Sequence, residues 1–493
     1  MRLRLGLLAA SLLWVSCPGL ASPDANERTL RVALTQEPST LNPVVGTLAV
    51  ETDVAQLIFS GLTRYDERGN RVPDLAEAVP SRANGGISAD GRTLTYHLLH
   101  NAQWQDGVPL TSEDVKFTFE AQMNPKNNVP NRLPYDEIAR VETPDKYTVR
   151  IVLKRPWAPA LDGFSDRTAG AIIPAHLLAK YEDLNHVDFG SAPVGSGPYR
   201  LVAWRRGSEM TFEADPHFYR AAPKIKHVQI RFLTNDSTMM IALRTHELDL
   251  ADRLNISTWL SLGTIPGMLP AINAQTSWEH LTFNTGRPPL DDRRVRLALC
   301  YGFNVRELYA KIAHGLGLLG PTSQSPATIW YNRKLGYYPF DPAKARKLLD
   351  EAGWKPGPDG IRVKDGKRLS LTFVSTTGNI TREQTEVILQ QRWRALGIDV
   401  VIKNGPAAMV FALAANGGPI YSGNYDVALS AFLIPTPDPT TRNFNGEDRI
   451  PPLGNNLSFY RNRELTQLEE AAASTFDERA RKRMYDRIQE IEL

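Results

Sequence analysis

Cysteine is nearly absent from this chain: two in 493 residues, Cys17 and Cys300. A disulfide scaffold is thereby excluded, and loss of an N-terminal leader carrying Cys17 would leave Cys300 without a partner. Cys300 lies in VRLALCYGF with Val295, Ala298 and Leu299 at helical spacing, which makes it a core residue in place of a reactive thiol. Charge of one sign is lacking too. Lysine plus arginine number 57 against 54 acidic residues, a formal balance of +3, and so small an excess offers no footprint for nucleic acid or an anionic membrane. Beyond Leu5–Val15 there is no long apolar run, and that run falls short of the roughly 20 residues a bilayer crossing takes.

Catalytic and metal-ligating patterns are equally scarce. The nine histidines include no HExxH, and His97 and His100 stand three apart in a strand-to-turn segment without helical metal spacing. The run Gly315–Gly320, GLGLLG, matches GxGxxG literally. It follows a helix-like segment and is ended by Pro321, so it is a loop and not a dinucleotide cradle. Gly195-Ser196-Gly197-Pro198 is not a nucleophile elbow, and Gly366-Lys367 lacks both Walker spacing and a following Ser or Thr. The expectation is a protein that is not an enzyme and holds no cofactor and no metal.

What is present begins with MRLRLGLLAASLLWVSCPGLAS, two arginines ahead of a short apolar run, then Pro18-Gly19 and small residues. That is the pattern of a secretory signal peptide, residues 1–21, with cleavage after Ala21. The alternative is lipidation at Cys17, although Trp14 stands where a lipobox has Leu. The expected location is periplasmic or otherwise extracytoplasmic, and the remaining chain is long enough for about three packed units.

Strand-like and helix-like segments alternate throughout, which argues for an α/β protein. Strands are expected at Leu30–Thr35, Thr93–Leu99, Tyr147–Leu153, Val228–Leu233, His280–Asn284, Leu369–Ser375 and Tyr425–Leu433. Asp341 caps a helix with Pro342 in its first turn and Gly353 at its end. Thr381 with Gln384 is read as the capping box of another helix that stops at Gly397. Between Asp90 and Glu120, DGRTLTYHLLHNAQWQDGVPLTSEDVKFTFE, an alternating strand is followed by an AspGly turn and a capping box of Thr111 and Asp114, with Val115 and Phe119 on one helical face.

As a string of residues that stretch closely resembles the signature region of bacterial extracellular solute-binding protein family 5, the dipeptide-, oligopeptide- and nickel-binding subunits of ABC importers. The resemblance extends to EPSTLNP (Glu37–Pro43), GLTRYDERGNRVPDLAEAVP (Gly61–Pro80), SAPVGSGPYRLVAW (Ser191–Trp204) and FNTGRPPLDDRRVRLAL (Phe283–Leu299). It implies a type II periplasmic-binding-protein fold of the cluster C kind: two lobes with a hinge, plus an extra inserted domain. Lobe I would comprise 28–57, 190–276 and 457–493, the inserted domain II 58–189, and lobe II (domain III) 277–456. The chain stops at RIQEIEL, where that family continues with an apolar segment returning to the first lobe, so a truncated sequence or an early end is expected.

The resemblance also nominates ligand-binding residues. From lobe I these are Glu37, Thr40 and Leu41, although a capped turn at the strand end would equally account for Glu37. Trp278 and His280 stand where similar proteins line the pocket with aromatics, or they pack the hinge. In peptide-binding relatives the strand corresponding to Tyr425–Leu433 ends in a Trp and then an Asp whose carboxylate pairs with the peptide α-ammonium. Here Phe432 occupies the Trp position, Leu433 and Ile434 follow, and Pro435, which offers neither charge nor backbone donor, occupies the Asp position. Asp438 would substitute only if the loop folds back; otherwise it belongs to a surface ProAspPro turn. The implied function is an extracytoplasmic solute-binding subunit that captures peptides or similar polar solutes by hinge closure, for a membrane permease and its ATPase. It would act as a monomer without nucleic acid. The alternatives are a non-peptide ligand, such as an oligosaccharide, opine-like conjugate or metal chelate, or a secreted hydrolase.

Overall fold

The computed structural model describes residues 29–493 apart from 47, 68, 130–131, 133–134, 167–169, 253, 255–258, 261–264, 270–276, 413 and 434–437. The leader reading of residues 1–21, and the Cys17 alternative, therefore lie outside the described residues. None of the described helices is long and apolar enough to cross a membrane.

Three sheets organise the chain. The first has the spatial order Leu250–Ala251, Thr29–Leu34, His227–Phe232, Glu209–Ala214 and Tyr199–Arg205. Thr29–Leu34 pairs in parallel with both of its neighbours, and the remaining pairings are antiparallel. Helix Ala49–Ile58 buries Val50, Val54, Ala55 and Ile58 against Leu34, Phe212, Val228 and Ile230 of this sheet. The GSGP motif has its physical reason here. A Cβ on Gly195 would lie 1.9 Å from the Ile58 carbonyl oxygen, and the Gly197 N–H donates to that same oxygen at 2.6 Å. A helix end and a loop can approach this closely only where there is no side chain.

The second sheet is antiparallel, in the order Thr93–His97, Thr148–Leu153, Ile138–Asp145. Helix Ser112–Met123 is started by the capping box, with the Thr111 N–H donating to Asp114 Oδ2 at 2.8 Å. Trp104, Tyr96, Tyr135 and Phe164 fill the core around it.

The third sheet runs Ser277–Phe283, Val427–Leu433, Ser370–Val374, Asp399–Ile402. Its first pair is antiparallel and the other two are parallel. Helices Arg293–Tyr301, Pro342–Glu351 and Ile380–Arg394 cover one face, where Trp393 is fully buried and donates from Nε1 to the Leu299 carbonyl at 3.1 Å. Asp341 accepts from the Lys344 N–H at 2.9 Å, and Gly353 takes the left-handed conformation that closes that helix. One expectation is corrected. Asn379 and not Thr381 caps the helix ending at Arg394: it accepts from the Arg382 N–H at 3.1 Å, so the helix starts at Ile380. Asn in a Gly-Asn step satisfies a free N–H two residues earlier than the Thr381–Gln384 pattern suggested.

Helices Arg463–Ala473 and Glu478–Glu492 pack on each other and bury Leu465, Ala472, Tyr485 and Ile488 against Trp330. Their polar contacts run to Thr322, Ser323 and Asn332, and to Asp438 and Thr441.

Candidate functional site

The strand pair Ser277–Phe283 and Val427–Leu433 brings together segments about 150 residues apart in sequence. Side chains alternate along a strand and directly opposed residues share a face. Register places Trp278 opposite Phe432, His280 opposite Ser430 and Thr282 opposite Ala428. The other face carries Leu281, Phe283, Val427 and Leu429 into the core shared with Trp393. One face is thus structural; the other carries aromatic and polar groups, and at Ala428 it packs into a smaller cluster with Val374, Tyr425 and Leu457.

On that second face the Trp278 and His280 rings stack, with centroids 3.9 Å apart and planes 16° apart. His280 Nδ1 lies 3.1 Å from the Trp278 carbonyl oxygen. Desolvation pushes the imidazole pKa down to about 4, so the ring is neutral at physiological pH. The intervening Glu279 points away and is held by Arg382, whose Nε and Nη2 donate to its two carboxylate oxygens at 2.6 and 3.1 Å. Arg382 Nη1 donates to Thr376 Oγ1 at 2.8 Å. Two hydroxyls on the aromatic face, Ser430 Oγ and Thr282 Oγ1, are buried without a hydrogen-bond partner among the described residues. Phe432 and Leu433 are placed here by their backbones, while Ile434 and Pro435 lie outside the described residues.

The candidates Glu37, Thr40 and Leu41 are occupied elsewhere. Glu37 Oε1 accepts from Trp204 Nε1 at 2.9 Å and Oε2 from the Gly207 N–H at 2.9 Å. The Arg206 guanidinium lies over the Trp204 ring, 3.4 Å from its centroid, and donates to the Ser39 carbonyl at 3.2 Å. Glu37 therefore ties its loop to the hairpin turn at Arg206-Gly207. Thr40 Oγ1 accepts from the Asn42 N–H at 3.1 Å, and Leu41 is a core residue, 1 % exposed, whose N–H donates to the Gly190 carbonyl.

Asp438 is on no surface turn. It is buried in a bidentate pair with Arg481, at 2.9 and 3.1 Å, and also accepts from the Thr440 N–H at 3.0 Å. Burial alone would raise its pKa, but the Arg481 guanidinium prevails and holds the carboxyl below the usual range. Arg481 is itself fixed by the Ala472 carbonyl at 2.9 Å and lies over the Trp330 ring. A second buried group, Tyr65, Arg71 and Asp162, acts electrostatically on Asp438. Sequence reasoning missed Thr282, Ser430, Arg382 and Arg481. The one signal available was a hydroxyl in each of two otherwise apolar strands, LTF and ALSAF.

The two α/β sheets, with a separate antiparallel unit intervening in the chain and an aromatic-polar strand face, define a two-lobed type II periplasmic binding protein. The chain belongs to the bacterial extracellular solute-binding proteins, family 5, whose model (Middle) matches residues 70–446. It is similar to Protein XP55 of Streptomyces lividans, 29% identical over 466 residues covering 93% of this chain and 80% of that protein. It is also similar to the glutathione-binding protein GsiB of Salmonella typhimurium, 27% identical over 497 residues, covering 97% and 90%. Among solved structures, NikZ from Campylobacter jejuni in complex with Ni(L-His) matches with a TM-score of 0.74 and 28% identity, covering 94% of this chain and 90% of that one.

Proposed function

We propose that this chain is the extracytoplasmic solute-binding subunit of an ABC importer, capturing a peptide or similar polar solute between its lobes and delivering it to a membrane permease driven by an ATPase. The observation that carries this reading is membership of family 5 across residues 70–446. A face bearing Trp278 and His280 supports it, because solute pockets combine aromatic walls with a few placed polar groups. On this reading the protein acts as a monomer, performs no covalent chemistry, and reaches its compartment through the leader at 1–21, cleaved after Ala21 or lipidated at Cys17. The division into 28–57, 190–276 and 457–493, 58–189, and 277–456 belongs to the same proposal. The terminal helices lean on residues of the 277–456 segment, so 457–493 is the piece whose assignment a limited-proteolysis map would test first.

A non-peptide ligand is the second reading. Pro435 favours it, since it stands where peptide-binding relatives place the ammonium-binding Asp, and Asp438 is committed to Arg481. NikZ, bound to Ni(L-His), illustrates such a ligand on this fold. The experiment is to denature protein purified from its native compartment and identify the released small molecules by mass spectrometry. Peptides support the first reading, one non-peptide species the second, and hydrolysis of supplied esters, peptides or glycosides would overturn both.

A further inference from the structure

The orphaned hydroxyls on the aromatic strand face carry an inference that rests on the solute-binding reading and deepens it. Ser430 is 1 % exposed and Thr282 7 % exposed, and neither hydroxyl has a partner among the described residues. A buried hydroxyl that gives up water without gaining a partner is costly, so such groups are found satisfied by protein, water or ligand. Register makes the two diagonal neighbours, one step removed from the directly opposed His280 and Ser430. Their Cβ atoms are therefore about 7 Å apart, close enough to engage one small group. Beside them stands the Trp278–His280 stack.

The face carries no formal charge at neutral pH. Trp278, Thr282, Ala428, Ser430 and Phe432 are uncharged, and desolvation keeps His280 neutral. The adjacent ions Glu279 and Arg382 are spent on each other and on Thr376. An ammonium or carboxylate brought here would lose its hydration and find no counter-charge. A hydroxyl side chain both donates and accepts, so the complement of this row is a neutral group that does the same.

We propose that Ser430 and Thr282 form a subsite for an uncharged hydroxyl-bearing or amide-bearing part of the solute, which packs its apolar edge on the Trp278–His280 stack. Any charged end of the solute is recognised elsewhere.

Protein carrying whatever small molecules survive purification is compared as wild type, Ser430→Ala, Thr282→Val and Trp278→Ala. Occupancy is read by mass spectrometry after denaturation, and thermal midpoints are measured on protein stripped in guanidinium and refolded. Each hydroxyl deletion should lower occupancy about tenfold, while the stripped protein melts at the wild-type temperature or above it, because an unsatisfied group has been removed. The released molecule should carry a neutral hydroxyl or amide. Unchanged occupancy with a lower melting temperature would mean that a structural water satisfies the hydroxyls, and would overturn the subsite. If Trp278→Ala alone loses the molecule, the solute-binding reading stands and the hydroxyl subsite falls. Wild-type protein that releases nothing, and whose melting is not shifted by maltose, glycyl-leucine or N-acetyl-glycyl-leucine amide, overturns the underlying reading as well.

Discussion

Removing one partner of the Asp438–Arg481 pair is the sharpest perturbation available. The side chains are 3 % and 8 % exposed, and the guanidinium grips both carboxylate oxygens. Asp438→Asn leaves the Arg481 charge buried between Trp330 and Tyr485 without a counter-charge, held by the Ala472 carbonyl and neutral oxygens alone. Breaking a buried pair from one side costs about 3–5 kcal/mol. Arg481→Met, which strands the carboxylate instead, should cost a similar amount. The double variant restores charge balance and should lose at least about 2 kcal/mol less than the sum of the single losses. The pair also sets an acid limit. The Asp438 carboxyl is depressed in the folded state, so its contribution is complete above the unfolded pKa of about 4 and is lost as pH falls through the lower folded value. Urea unfolding followed by circular dichroism, at neutral pH and at pH 4 and below, measures each quantity. A cost for Asp438→Asn below about 1 kcal/mol, or strict additivity of the double variant, would refute the reasoning. A variant that kept full stability yet lost its solute would return Asp438 to the role of ligand anchor.

Glu469 titrates in the opposite direction. Burial, opposed by Thr441 and reinforced by Glu492, raises its carboxyl pKa to about 8. Its contribution is therefore intact below the unfolded value of about 4.3 and is lost as pH rises through 8. Glu469→Gln should flatten the fall in melting temperature between about pH 5 and 8, and an unchanged slope would exclude Glu469 as its source. Gly195→Ala sets a Cβ against the Ile58 carbonyl oxygen and should cost about 3 kcal/mol; a loss under about 1 kcal/mol in the same urea assay would show that the loop can move aside. A free peptide and its N-acetylated form should bind comparably by calorimetry, because Pro435 supplies no carboxylate; strong loss on acetylation would restore an ammonium anchor.

Local patterns in the sequence were read well because local physics decides them. The Thr111–Asp114 capping box, the Asp341 cap with Pro342 behind it, and the strands at 93–97, 148–153 and 427–433 depend on neighbours within a few residues. The Asn379 cap was missed because Thr381 offered an equally good pattern two residues on, and only the backbone path decides between them. Asp438 was unreadable for a different reason. Its partner, Arg481, lies 43 residues away on a helix with other arginines, and nothing in ProAspPro distinguishes a solvent turn from a buried acceptor. Glu37 illustrates the same limit, since a motif shared with relatives fixes its position but leaves its hydrogen bonds to Trp204 and Gly207 unstated.

The candidate site shows what kind of information separates a scaffold from its specificity. Trp278 and His280 were legible as aromatic residues at a strand start, and Phe432 as the end of another. Nothing in either segment told which of their neighbours they face. A slip of the Val427–Leu433 strand by one residue would put Leu429 in place of Ser430 on the Trp278–His280 face and turn the Ser430 hydroxyl toward the Trp393 core. The apolar row fixes the register, since Leu281, Phe283, Val427 and Leu429 all belong to that core. Through that register the core determines which polar groups share the face with Trp278 and His280. The chemistry of that face is thus set from behind the sheet, and a core substitution that weakened the register would change it without touching any of its side chains.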